Sequence, residues 1–212
     1  MKRERGISLI IVLIALVIIS FAATALLRST DTATLITGNL AFKRAALASG
    51  DAAAEQALGW ISNNGSGTAL YADLPASGYY ATSADGCDIT GSRTPADATD
   101  DVNWTSTASR ANCAMYGLKV TPAGVAGGYS VAYVINRMCN ASGDPLSLLA
   151  ADGFTPMTCA RISGGSTTGS TRTGAYYGNL ALSGSSQVYF RITTRVTGPR
   201  GTVRYLQTFI AM

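Results

Sequence analysis

The chain has 212 residues and a formal charge of +4, only 13% of its side chains are charged, and it contains no histidine. Without histidine there is no Ser-His-Asp or Cys-His pair for nucleophilic catalysis and no imidazole ligand for a metal, and so small a net charge makes no electrostatic case for nucleic acid. Gly is abundant at 23 residues and Ser and Thr are plentiful, the composition of a β-rich head with polar, uncharged loops rather than of a cytosolic enzyme.

Residues 1–6, Met-Lys-Arg-Glu-Arg-Gly, form a short basic leader. Ile7 to Leu27 follows, 21 residues without a charge, and Arg28 closes the run. At a rise of about 1.5 Å per residue such a helix crosses a hydrocarbon core of about 30 Å, and the basic leader marks the cytoplasmic side. A secretory signal has a shorter apolar region with a small-residue cleavage site after it. Here the processing point lies before the run, at Gly6–Ile7, so the apolar helix is expected to stay in the mature chain. Removing the leader takes away three of the 16 basic residues and one of the 12 acidic ones, which leaves 13 against 11, or +2.

No proline occurs before Pro75, so the helix is free to continue past Arg28. Ile36, Leu40, Leu47, Ala54, Leu58 and Ile61 recur at helical spacing, with Lys43, Arg44, Asp51 and Glu55 between them. Ser62-Asn63-Asn64-Gly65 is a stop signal. The pattern predicts one helix over 7–62, about 80 Å long. Its first half needs a membrane or a fibre core, and its second half needs a globular head, residues 63–212, against its apolar face. Gly38-Asn39 is expected to be a soft point or a close-packing site.

Residues 63–112 read as loops carrying Tyr71, Tyr79, Tyr80 and Trp104, aromatics that suit a core better than an adhesive patch. Ala114–Thr121 and Tyr129–Arg137 then alternate as strands, with Pro122–Gly128 joining them as a hairpin. Residues 163–174 are a low-complexity Gly/Ser/Thr loop. In the closing hairpin Val188, Phe190, Ile192 and Val196 share one face, residues 197–201 turn, and Val203, Tyr205 and Phe209 share a face of the returning strand. The expected architecture is α+β, with an antiparallel sheet of at least four strands packed on the C-terminal half of the helix.

The four cysteines, Cys87, Cys113, Cys139 and Cys159, suit two disulfides in an extracytoplasmic head. Three connectivities are open. Cys87–Cys113 with Cys139–Cys159 is favoured, because each bridge then closes a short loop and contributes about 3 kcal/mol. A zinc site is the alternative and lacks any CxxC pair. Asp97, Asp100, Asp101 and Asn103 are oxygen-rich enough for calcium but lack the EF-hand spacing, so a solvated loop is expected. Arg191, Arg195, Arg200 and Arg204 gather around the last hairpin, where charge protects a sheet edge more often than it binds DNA.

The leader ending in Gly6 directly before an apolar run resembles a type IV prepilin. Ser29 to Leu40, with its Gly38-Asn39 pair, and the Ala-rich segment Ala45 to Leu58, with Glu55, are similar to the N-terminal domain of PilX-type minor pilins. The stretch from Tyr189 to Thr208 is similar to the closing hairpin of that group. The resemblance implies a type IV pilin-like fold. It implies cleavage by a prepilin peptidase after Gly6 and N-methylation of Ile7, with Ile7, Ile11 and Leu27 in the membrane and fibre-core helix. It also implies residence in the bacterial inner membrane and then at the tip of an extracellular pilus, with other minor pilins, the major pilin and a tip adhesin as partners. Assembly priming, adhesion and twitching motility follow as expected roles, with no catalysis, cofactor or metal. Most type IV pilins carry glutamate at the fifth mature position, where this chain has Ile11. A carboxylate buried without a partner is costly, so isoleucine suits a subunit with no neighbour on one side. A type II secretion minor pseudopilin, or an anchored binding protein that never assembles, fits some of the same features.

Overall fold

The computed structural model describes residues 7–162 and 187–212. The leader with Gly6, and the loop 163–174, lie outside the described residues. One helix, α1, runs unbroken over Ile7–Asn64. It ends two residues beyond the expected 62, where Asn64 Nδ2 donates to the carbonyl of Trp60 at 2.8 Å. The chain divides into two compact units, the residues up to Ala45 and Ala46–Met212. The stretch of α1 from Ala46 onward therefore belongs with the head.

Among the described residues the head carries a six-stranded sheet of β1 (Tyr79–Tyr80), β2 (Leu118–Val120), β3 (Ser130–Arg137), β4 (Arg161–Ile162), β5 (Gln187–Thr197) and β6 (Val203–Ala211). Both expected hairpins are present, although the first strand of the earlier one is confined to Leu118–Val120 of the expected 114–121. β2 pairs antiparallel with β3, and β5 with β6 through Phe190↔Ile210 and Val196↔Arg204. β3 and β5 form the centre, in register at Val131↔Val196 and Ile135↔Ile192. β4 pairs antiparallel with β5 at Arg161↔Val188. The sheet is mixed rather than wholly antiparallel, because β1 runs parallel to β3. Two residues show no alternation for a sequence pattern to reveal. β1 is delivered by a one-turn 3₁₀ helix, Pro75–Ser77, that ends at Gly78 with φ of 68°. A Cβ at Gly78 would stand 2.9 Å from that of Leu118, so glycine is required there for space as well as conformation.

One face of the sheet packs on α1. Val131, Tyr133, Ile135, Val188, Phe190, Ile192 and Val196 meet Ala46, Ala53, Ala57 and Ile61 in a single core. The helix face differs from the one the larger apolar residues suggested. Leu47 and Leu58 are 44% and 37% exposed, whereas Ala53 and Ala57 are fully buried. Small residues let the helix backbone approach the sheet, which leucines on that stripe would prevent. The close-packing glycine is Gly50, not Gly38. A Cβ at Gly50 would lie 3.3 Å from Thr194 Oγ1 and from Val196 Cγ2, whereas one at Gly38 would have nothing within 4 Å. Val203, Tyr205 and Phe209 do share a face, the one turned away from α1, and Phe209 is 56% exposed.

That second face is covered too. Tyr80, Ile89, Val102, Cys113, Met115 and Val134 form a second buried cluster. Residues 81–116 are thus a layer of turns that anchors Ile89, Val102, Cys113 and Met115 on this face while 95–99 and 105–112 stay exposed, as expected of a solvated loop, and β3 is buried along both faces from Val131 to Arg137.

Candidate functional site

The apolar part of α1 is uncovered by the described protein. Leu9, Ile11, Phe21 and Leu27 are each at least 60% exposed. This is the one helix among the described residues long and apolar enough to cross a membrane, with a mean hydropathy of 3.0 over its best window. Two of its hydroxyls are satisfied from within. Ser20 donates to the carbonyl of Leu16 at 2.8 Å and Thr24 to that of Phe21 at 2.9 Å. Internal pairing of this kind lets a helix leave water without stranding a donor. Ile7 opens the helix, and Ile11 stands among apolar neighbours with no charge beside it.

The head is stapled twice. Cys87 is bonded to Cys113 and Cys139 to Cys159. The first bridge closes the layer over the outer sheet face. The second closes a loop that displays Leu148 and Phe154, which are 87% and 88% exposed.

The four oxygen-rich residues do not converge on one point. Asp97 accepts from the backbone and hydroxyl of Thr99. Asp100 accepts from Thr94 Oγ1 and forms a 3.5 Å ion pair with Arg93. The Asn103 side-chain oxygen accepts from the backbone of Thr105 and Ser106. Among the described residues no group of three or more acidic or cysteine side chains could hold a metal ion. Nor do the four arginines form one patch. Arg191 and Arg195 project from the outer face of β5, and Arg204, opposite Val196, lies on the helix-facing side of β6. Arg191 Nη2 donates to the carbonyl of Ser83 at 2.7 Å, tying the outer layer to the sheet.

Of the aromatics, Tyr79 lies in the main core, with ring centroids 5.5 Å from Trp60 and 6.5 Å from Phe190. Burial raises its hydroxyl pKa well above the usual tyrosine range, against the opposing pull of Arg137. Tyr80 lies in the second core, where burial pushes its pKa up to about 12.

Two residues that organise the head escaped sequence reasoning. Arg137 is 1% exposed. Its Nε donates to Ala81, Nη1 to Leu70 and Nη2 to Ala141, all at backbone carbonyls. Burial lowers its pKa, partly offset by Tyr79. Asp88 is 4% exposed, and its carboxylate accepts backbone N–H groups from Thr90, Gly91, Arg93 and Thr94. A charged residue inside an otherwise strand-like run was the available signal for Arg137. Asp88, with Thr90, Gly91 and Ser92 just beyond Ile89, is an ordinary turn signature, and burial alone distinguishes it. No protein-family model matches this chain, and neither a curated protein nor a solved structure matches it.

Proposed function

We propose that this chain is a minor pilin of the PilX type, held in the inner membrane by α1 and then incorporated near the tip of a type IV pilus. The observation that carries the reading is the division of labour within α1. Its first part, Ile7 to Leu27, follows a basic leader ending in Gly6 and carries uncovered apolar side chains. Its last part lies under an α+β head through Ala46, Gly50, Ala53 and Ala57.

The mechanism is physical. The exposed apolar helix is unstable in water, at about 25 cal/mol for each Å² of apolar surface. It therefore resides in lipid until a bundle of like helices offers an equivalent solvent. Transfer between the two leaves the head outside, where its disulfides resist unfolding. Ile11 spares the subunit an unpaired carboxylate within such a bundle, which suits a position at the end of the fibre. The head then supplies contacts to neighbouring minor pilins and to outside surfaces, and no chemical step is assigned to it.

Intact-mass and N-terminal analysis of the membrane-extracted protein, with and without prepilin peptidase, tests the reading. The expected result is a chain beginning at N-methylated Ile7 only when the peptidase is present. A leader retained through Gly6 under both conditions would overturn it.

A further inference from the structure

Among the described residues β6 is the long open edge of the head's sheet. β1, β2 and β4 have two or three residues each, whereas β6 runs from Val203 to Ala211 and none of its residues is buried. It pairs with β5 on one side, and no described strand pairs with it on the other. Proteins blunt such edges with proline, a bulge, charge or shortness. β6 contains no proline, and its register with β5 advances residue by residue, without a bulge, from Thr197↔Val203 to Tyr189↔Ala211. The arginines of the closing hairpin do not guard this edge. Arg191 and Arg195 stand on β5, and Arg204 is the single charged residue of β6.

The rungs at both ends show which backbone groups β6 spends on β5. Val188 and Met212 exchange both of their N–H···O bonds, at 2.9 and 3.1 Å, and at the turn Gly198 donates to the carbonyl of Thr202 at 2.8 Å. Rungs of an antiparallel pair alternate between bonded and non-bonded positions. Arg204, Leu206, Thr208 and Ile210 therefore aim their N–H and C=O groups at β5. Val203, Tyr205, Gln207, Phe209 and Ala211 aim theirs outward along the open edge.

We propose that two copies of this chain associate through β6, antiparallel and two-fold about Gln207, so that their sheets continue as one. The strand is complementary to itself in this register, as a two-fold interface requires. Every outward residue meets an outward residue: Val203 faces Ala211 of the second copy, Tyr205 faces Phe209, and Gln207 faces Gln207. The edge then forms about ten backbone hydrogen bonds. A shift of one residue sets outward groups against inward ones, and a shift of two leaves end residues unpaired. Two Tyr–Phe pairs flank the axis, the kind of cross-strand pair that stabilises a sheet. Tyr205 is already ordered for this by the Trp104 ring, at a centroid distance of 5.8 Å. Arg204 faces Ile210 of the second copy, so the two positive charges stay well apart. The contact lies wholly in the head and stands independently of the pilin reading.

All four native cysteines are bonded to one another, so an introduced cysteine is the sole free thiol. The full chain in detergent micelles is treated with a short bifunctional maleimide. In the proposed register the two Gln207 Cα atoms are about 5.5 Å apart, and the two Val203 Cα atoms are a strand length apart, about 27 Å. Gln207→Cys is expected to give a covalent dimer, at least about tenfold more than Val203→Cys gives. Gln207→Lys sets like charges opposite each other on the axis and is expected to weaken the dimer about tenfold or more in sedimentation. Gln207 is exposed, so an unchanged melting curve separates this loss from unfolding. No covalent dimer in Gln207→Cys, or equal cross-linking in Val203→Cys, would overturn the proposal. So would a dimer of undiminished affinity in Gln207→Lys, which would place the association elsewhere, as in α1.

Discussion

The backbone of Gly50 on α1 lies so close to Val196 on β5 that a Cβ added to the glycine would stand 3.3 Å from Val196 Cγ2. This contact sets the distance between helix and sheet, and Thr194 and Leu206 crowd the same point. Gly50→Leu is expected to destabilise the head by about 2–3 kcal/mol, since the branched side chain must push the helix off the sheet. Gly59 has nothing within 4 Å of its Cβ position, so Gly59→Ala is expected to stabilise by about 0.5–1 kcal/mol through helix propensity alone. Denaturant midpoints of the two variants check both signs. A Gly50→Leu head as stable as the parent would mean that the small-residue stripe does not govern the packing.

Arg137 ties the carbonyls of Leu70, Ala81 and Ala141 to β3 from a position 1% exposed. Among these, Leu70 keeps a second donor, the Tyr79 hydroxyl at 2.7 Å, and the other two carbonyls lose the Arg137 bond outright if the side chain is removed. Arg137→Met is expected to cost about 3 kcal/mol, the scale of stranding buried polar partners. Arg137→Lys should recover only part of this, because one ammonium cannot match a planar fork. Chemical denaturation with the disulfides intact measures the difference, and Arg110→Ala, on the exposed side of the outer layer, should move stability by less than about 0.5 kcal/mol.

Asp88 gives the head a pH dependence whose sign follows from its surroundings. Burial pushes its pKa up, but the backbone N–H groups of Thr94, Thr90, Arg93 and Gly91 outweigh burial and hold it below the ordinary aspartate value. The folded state therefore binds the proton more weakly than the unfolded state. The stability is fully present above the unfolded pKa, and it is lost as pH falls through the folded one. Asp101 has the opposite sign. Burial first, and then repulsion from Asp88, raise its pKa, so its contribution is largest at low pH and is lost as pH rises through the folded value. Asp88→Asn is expected to lower stability at pH 7 by about 2 kcal/mol, because a neutral amide forfeits charge-assisted bonds. It should also flatten the loss of stability as pH falls below the unfolded aspartate pKa of about 3.9. Thermal melts across that range check this, and an unchanged acid limb in Asp88→Asn would remove Asp88 as its source.

The long-range order of the chain was legible in the sequence wherever a pattern repeated. The uncharged run from Ile7 to Leu27, the absence of proline before Pro75 and the stop at Asn63-Asn64-Gly65 place α1 within two residues. Alternation marks β3, β5 and β6, and the Gly198–Gly201 turn joins the last two. Tertiary structure decided what repeats too short to read could not. Which stripe of α1 is buried depends on how near the sheet can come, so Ala46, Gly50, Ala53 and Ala57 displaced the larger leucines that carry the stronger hydrophobic signal. The parallel pairing of Tyr79–Tyr80, the burial of Arg137 and Asp88, and the meeting of Asp101 with Arg195 across 94 positions of sequence are contacts between distant segments. Local propensity carries no record of them, because each is fixed by the partner across the core rather than by chain neighbours.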